Sequence, residues 1–494
     1  MKLNFLDKVD YEHKMFIVFI LVNFLLWVSV AMVRTVLPTD ALEGIYWGSL
    51  HDLGTPKHPP FAGWLTYIVY SIFKTDLSIY VLSQTFILIG FIYIYKIARI
   101  FLEPKRAILS TMMLEGCWVY GYIVEYYGFN PDVILLGLLP MITYHFYKCM
   151  NSKKMYDWIL LGILVGISFL NKYQTLLIFV PMVIWAFLYR KEVFKTKGFY
   201  ISALIAFMIF LPHILWLIKY DFFPLLYFEG EFENSSWMSH ITSTLLFGIM
   251  QFALVAGTIG IFSVLKLVQK SQFKMIQIKN DEKIWFLILF TAVPLLIHLS
   301  MGLCGGGSMR PRWGFEFMYL IGIILFYFFP TKDISKRDFK LGTALSYFAM
   351  LVIFLVMGTL LSVEKNYRSR YPVQKIYNDM QAIWNASQSK PLKYLGGYIE
   401  WTLPLTIYTD SHPKIILDTH GYKNPWIDEE DLKSSGILII DRHEDNVIGE
   451  TLKSCPYLPE EYNIEPKEYK FTVENAFKQP REYTIHYFIV PPLD

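Results

Sequence analysis

Residues 157–189 read DWILLGILVGISFLNKYQTLLIFVPMVIWAFLY, with Lys153 and Lys154 before them and Arg190 and Lys191 after them. Two apolar runs, 157–170 and 175–189, flank the polar tip Asn171-Lys172-Tyr173-Gln174. Basic residues favour the cytoplasmic side of a bilayer, so both flanks belong on one side and the stretch crosses an even number of times. It reads as a helical hairpin whose tip lies on the far side. At 1.5 Å per residue each arm reaches only about 21–23 Å, short of the roughly 30 Å hydrocarbon. Such a hairpin sits in thinned bilayer, is re-entrant, or is shielded by neighbours.

Outward from this hairpin the pattern repeats. Further apolar blocks run at 15–33, 79–95, 107–124, 131–147, 199–218, 241–265, 284–303, 315–329 and 341–363. The chain of 494 residues is 54% hydrophobic and 18% charged, whereas soluble domains carry about 25% charged residues. Blocks of this kind exclude a soluble enzyme, a disordered chain and a disulfide scaffold. Cys117, Cys149, Cys304 and Cys455 are too scattered for a bridge framework or a CxxC metal site. The expected fold is an α-helical polytopic membrane protein with eleven crossings plus interfacial helices. Block 15–33 is long for a signal peptide and lacks a small-residue exit, so it reads as a retained helix.

Charge sets the orientation. With the N-terminus in the cytoplasm, the inner connections hold 23 Lys and Arg and the short outer loops up to residue 363 hold seven. That is the asymmetry the positive-inside rule demands. Residues 1–363 then form a membrane domain with an outer loop at 34–78, and residues 364–494 lie outside the membrane. This tail carries 15 Lys and Arg and β-like runs at 414–418 and 436–441, which points to a small C-terminal α/β domain.

The outer loop is the densest polar region of the membrane half. It reads Pro38-Thr-Asp40-Ala-Leu-Glu43-Gly-Ile-Tyr46-Trp47-Gly-Ser-Leu-His51-Asp52-Leu-Gly-Thr-Pro56-Lys57-His58-Pro59-Pro60, followed by 13 apolar-leaning residues, 61–73. Those 13 are too few to span and suit an interfacial helix starting near Pro60. Lys57 and His58 would then stand at a helix N-terminus, where backbone N–H groups and the dipole favour phosphate. Asp40 and Glu43, three apart, share a face if helical and suit removal of a proton from a hydroxyl or amine. Taken singly, each feature also reads as a solvated carboxylate or an interface anchor.

Together these residues resemble the first periplasmic loop of bacterial membrane glycosyltransferases of the GT-C fold. More narrowly, the resemblance is to dolichyl-phosphate-mannose protein mannosyltransferases and lipid A aminoarabinose transferases. It rests on Asp40-x-x-Glu43-Gly-Ile-x-Trp47-Gly and Lys57-His58-Pro59-Pro60. It continues in Tyr126-Tyr127-Gly-Phe-Asn130-Pro131-Asp132, Asn171-Lys172-Tyr173 and Arg310-Pro-Arg312-Trp313, and in the number and direction of helices. One departure stands out: the common Asp-Glu dipeptide is replaced by Asp40 and Glu43 with two residues between them. The resemblance implies Asp40, with Glu43, in the catalytic place. It implies Lys57, His58, Lys172, Arg310 and Arg312 at the donor phosphate, and Asn130, Asp132, Tyr46 and Trp47 at sugar or acceptor. Asp132 reads equally well as a helix cap.

The implied reaction moves a sugar from a polyprenyl-phosphate donor to a lipid such as lipid A, or to a protein, with inversion. It would take place on the outer face of a bacterial cytoplasmic (inner) membrane. No cofactor is called for. Asp40, Glu43, His51, Asp52 and His58 offer ligands to a divalent metal, yet no HxH or HExxH spacing is present. Nothing points to nucleic acid. A transporter or flippase of polyprenyl-linked glycan would place ionisable groups near the midplane in matching halves, and here only Glu115 in the third block is so placed. A scaffolding subunit displaying residues 364–494 is a third reading.

Overall fold

The computed structural model describes residues 10–152, 154–225, 236–305, 309–315, 317–363, 367–417, 424, 426–459 and 462–493. Among them, seven helices are long and apolar enough to cross a membrane: Tyr11–Met32, Asp76–Phe101, Pro131–Asn151, Lys197–Lys219, Trp237–Val268, Glu282–Gly305 and Lys336–Val363. The chain is thus an integral membrane protein. Shorter apolar helices cover Phe61–Phe73, Met155–Asn171, Tyr173–Tyr189 and Met318–Phe328.

In chain order the first ten α-helices are α1 (Tyr11–Val28), α2 (Thr39–Ser49), α3 (Phe61–Phe73), α4 (Asp76–Phe101), α5 (Pro104–Met112), α6 (Val124–Tyr127), α7 (Pro131–Asn151), α8 (Met155–Asn171), α9 (Leu176–Tyr189) and α10 (Lys197–Lys219). The short helices α8 and α9 follow one another across the 171–175 tip, and each packs chiefly on neighbours rather than on the other. Arm α8 packs along α7 and α10, and α9 packs along the helix Glu282–Gly305.

The third apolar block departs from expectation. Instead of one span at 107–124, α5 gives way to a 3-10 turn at Met113–Gly116, a bend, a π-turn at Val119–Ile123 and then α6. The cause lies in a distant helix. A Cβ on Gly116 would stand 2.5 Å from the Thr258 nitrogen, and one on Gly257 2.4 Å from the Gly116 oxygen, so the two backbones touch here. Backbone groups freed by the break find partners across this contact, as hydrocarbon surroundings require. The Trp118 N–H donates to the Leu254 carbonyl at 3.1 Å, and the Thr258 hydroxyl donates to the Met113 carbonyl at 2.8 Å. Glu115, 1% exposed, sits inside the break and accepts the Trp27 indole N–H at 3.4 Å.

Beyond the last long helix stands a five-stranded mixed sheet of order β2-β1-β3-β5-β4, with β1 Tyr394–Gly397, β2 Lys414–Leu417, β3 Ile437–Asp441, β4 Lys467–Glu474 and β5 Pro480–Val490. Strand β1 runs parallel to β2 and β3, while β5 is antiparallel to β3 and β4. Residue 418, the expected end of the first β-like run, lies outside the described residues. The sheet unit leans on the outer loop. Its helix Ile399–Ile407 packs on α2. The Tyr408 hydroxyl accepts the Leu37 N–H at 2.9 Å and donates to Asp76 at 2.8 Å.

Candidate functional site

Helix α2 starts after Pro38, whose carbonyl accepts the N–H groups of Ala41 and Leu42. Asp40 and Glu43 therefore do share one helical face. Beside this face α2 lies against α3 at backbone distance: a Cβ on Gly48 would meet the Gly63 oxygen at 2.1 Å. That contact brings the segment leading into α3 up to the acidic face.

This segment is shaped by Thr55. Its hydroxyl accepts the N–H of His58 at 2.9 Å and of Lys57 at 3.3 Å, and donates to the His58 carbonyl at 2.7 Å. The stapled turn aims Lys57 at α2, where Nζ stands 2.6 Å from Glu43 Oε1 and 5.6 Å above the Trp47 ring. Pro60 then caps α3.

The start of α7 supplies the next wall. Asn130 caps it, its Oδ1 accepting the Asp132 and Val133 N–H groups at 3.0 and 3.1 Å. Its Nδ2 donates to Asp40 Oδ2 at 2.9 Å. The cap therefore belongs to Asn130 and not to Asp132, because only the residue before the first turn can bend its side chain back onto those N–H groups. The Asp132 carboxylate instead meets Lys172 from the tip between α8 and α9 and lies 3.8 Å from Arg312 Nε. Asn171, next to Lys172, donates to the Pro131 carbonyl at 2.8 Å and locks the tip to α7.

Arg312 closes the ring. Its Nη1 is 3.3 Å from Asp40 Oδ2, and its guanidinium lies 4.3 Å from the centre of the Tyr127 ring. The Arg310–Trp313 turn is clamped by two amides. Gln251 donates to the Pro311 carbonyl at 2.8 Å, and Gln174 donates to that of Trp313. Residues 306–308 of the glycine run before it lie outside the described residues.

Asp40, Glu43, Trp47, Lys57, His58, Asn130, Arg310 and Arg312 line one cleft, and Asp132 and Lys172 buttress it. Tyr46 is not brought there. It is 3% exposed and turns the other way, its hydroxyl accepting the Ile415 N–H of β2 at 2.8 Å. His51 packs on Tyr67, outside the lining. No group of three or more His, Cys, Asp or Glu placed to hold a metal occurs among the described residues. Sequence reasoning gave no role to Thr55, Tyr127, Gln174 or Gln251. Thr55 acts locally, on Lys57 and His58 two and three residues on, whereas Tyr127, Gln174 and Gln251 act on a distant segment that their sequence neighbours do not signal.

Burial pushes the Glu43 carboxyl above its usual range, with Lys57 pulling it back. Burial, followed by the charge of Lys172, drives His58 down to about 3, so its imidazole is neutral at physiological pH. The cleft thus offers fixed cations, a neutral imidazole and the backbone at the start of α3. That set is suited to an anionic phosphate. The indole N–H of Trp47 is buried with no acceptor among the described residues, a donor suited to a hydroxyl-rich ligand.

Residues 57–216 match the dolichyl-phosphate-mannose-protein mannosyltransferase family. The lipid A galacturonosyltransferase RgtD of Rhizobium johnstonii is 22% identical over 293 residues, 57% of this chain and 59% of that protein. The lipopolysaccharide core galacturonosyltransferase RgtA of the same organism is 24% identical over 196 residues, 38% of this chain and 39% of that protein. The chain therefore spans less than two thirds of either relative. The crystal structure of ArnT from Cupriavidus metallidurans, bound to undecaprenyl phosphate, superposes with a TM-score of 0.63 at 10% identity, covering 96% of this chain and 97% of that one. Nearly full-length structural likeness shows the fold: this chain is a membrane protein of the ArnT-like GT-C fold.

Proposed function

We propose that the protein is an inverting glycosyltransferase that moves a sugar from a polyprenyl-phosphate donor to a lipid acceptor at the outer face of the cytoplasmic membrane. The N-terminus would lie in the cytoplasm and residues 364–494 outside. The observation that carries this reading is the convergence of Lys57, His58, Arg310 and Arg312 with Asp40 and Glu43 in one cleft. In the proposed reaction the acceptor oxygen attacks the anomeric carbon from the face opposite the phosphate. The bond from that carbon to the phosphate oxygen breaks, and polyprenyl phosphate leaves with the electron pair. Leaving-group charge is met by the cations that line the cleft. Asp40 takes the acceptor proton. With an acceptor that is already an anion, such as a lipid phosphate, Asp40 orients it instead. Asp132 holds Lys172 toward the phosphate, and the Trp47 N–H binds a sugar hydroxyl.

A protein acceptor is the second reading, favoured by the family matched at residues 57–216. The test is transfer of radiolabelled sugar from a polyprenyl-phosphate donor by the purified protein, with lipid and protein acceptors supplied in parallel. Asp40→Asn should lose transfer by a factor of about 10² or more while still binding donor. Undiminished transfer in that variant removes Asp40 from the mechanism, and absence of sugar release by the wild type removes the reaction.

A further inference from the structure

The last long helix, Lys336–Val363, opens with Lys336, Arg337 and Lys340. From Lys340 to Val363 the rise is about 34 Å at 1.5 Å per residue, slightly more than a hydrocarbon core of about 30 Å. Val363 therefore emerges at the bilayer edge. Along this helix Phe348, Leu351, Leu355, Leu360 and Val363 are exposed apolar side chains, a face that meets lipid.

The final carbonyls of any helix lack partners within it, and at a bilayer edge they still need donors. Here they are supplied by the turn between β4 and β5. The Ala476 N–H donates to the Ser362 carbonyl at 3.0 Å, and Asn475 Nδ2 donates to that of Val363 at 3.3 Å. The turn is rigidly built. Asn475, 2% exposed, accepts the N–H groups of Phe477 and Gln479 through Oδ1, both at 3.0 Å. Lys478 holds a left-handed backbone, φ 58°. What this turn presents is Phe477, 65% exposed, beside the exposed Lys478, whose Nζ lies 3.8 Å from Glu474.

We propose that the β4–β5 turn is a foot on the bilayer: Phe477 sits at the boundary between headgroups and acyl chains, and Lys478 sits on the headgroup phosphates. The position of the turn at the end of a spanning helix and an exposed aromatic beside an exposed cation both fit this occupant. The sheet unit is then fixed to the lipid surface as well as to α2, which holds the outer loop at a set height above the membrane.

Cys304 is the exposed cysteine among four, the others being buried. A full-length Cys304→Ser, Phe477→Cys protein is labelled with a polarity-sensitive fluorophore. It is placed in nanodiscs of phosphatidylethanolamine and phosphatidylglycerol. The label should emit to the blue, be quenched by a nitroxide on the lipid acyl chain and be protected from aqueous iodide. The same label at Lys467, at the far end of β4, should show the reverse. A 477 label as open to iodide as the 467 label overturns the proposal, as does one shielded from both quenchers, which would mean a protein partner. In the unmodified chain, a photoactivatable phospholipid should cross-link to the peptide carrying residues 475–479, and its absence there also overturns the proposal.

Discussion

Lys57→Met removes the cation that faces Glu43 while keeping most of the apolar stem. Glu43 is 7% exposed and Lys57 21%, with 2.6 Å between Nζ and Oε1. Stripping one partner from a fully buried pair costs about 3–5 kcal/mol. A fifth of the Lys57 side chain meets solvent, so the expected loss at neutral pH is about 2–3 kcal/mol. The loss depends on pH with a defined sign. Burial raises the Glu43 pKa above its usual 4.5, and Lys57 opposes that rise. In the variant the folded-state pKa climbs further. Between 4.5 and that pKa the folded state holds a proton the unfolded chain has released, so stability falls as pH rises. The penalty should be small well below pH 4.5, where the carboxyl is neutral in both states, and complete above the folded-state pKa. Thermal unfolding in detergent, wild type against variant across this pH range, measures it. Adding Glu43→Gln should remove the pH-dependent part without restoring donor binding. A penalty that is flat with pH, or that Glu43→Gln leaves untouched, would refute the reasoning.

His58 is driven to about 3 by burial, so kcat/KM for wild type and His58→Asn should have the same shape between about pH 5.5 and 8, since that parameter reports ionisations of the free protein. An inflection present only in the wild type contradicts it. The stability His58 contributes should be complete above its usual 6.5 and lost as pH falls from there toward 3, a slope that His58→Asn should flatten in acid-side melts. Tyr408→Phe strands the Leu37 N–H and removes a donor to Asp76; a loss of about 1–3 kcal/mol is expected in thermal unfolding, and an unchanged melt excludes the hydroxyl as a tie. Arg312→Lys keeps the charge but loses the planar fork shared between Asp40 and Asp132 and the stacking on Tyr127. Transfer should fall by a factor of about 10 or more, and full activity would mean that charge alone suffices.

Much of the architecture was legible from local pattern. The basic flanks and the polar tip at 171–174 anticipated two short helices, and the structure has α8 and α9 with a tip between them that carries Lys172 to Asp132. The spacing of Asp40 and Glu43 anticipated a shared helical face, and Pro60 anticipated the start of α3. The break at Met113–Gly116 was not legible, because it answers to Gly257 and Thr258, some 140 positions away, and hydropathy averages over it. Nor was the direction of Tyr46. It lies within the same loop as Trp47, yet the helical turn sends one to the cleft and the other to β2. Capping followed the same logic: Asn130 and Asp132 are both competent acceptors, and only the start of α7 at Pro131 decides between them.

The arrangement of the cleft follows from what it costs to keep charges buried. Lys57, Lys172 and Arg312 each face a carboxylate, so none of these carboxylates is left buried without a cation, the situation that is most destabilising. An incoming phosphate must therefore exchange partners rather than fill a bare positive site. Lys57 holds Glu43 at 2.6 Å, whereas Arg312 spans Asp40 at 3.3 Å and Asp132 at 3.8 Å. Coulomb attraction weakens with distance but sums over partners, so Arg312, between two carboxylates and over the Tyr127 ring, is held at least as firmly as Lys57. In the proposed reaction an arriving phosphate and Asp40 therefore compete for the same guanidinium.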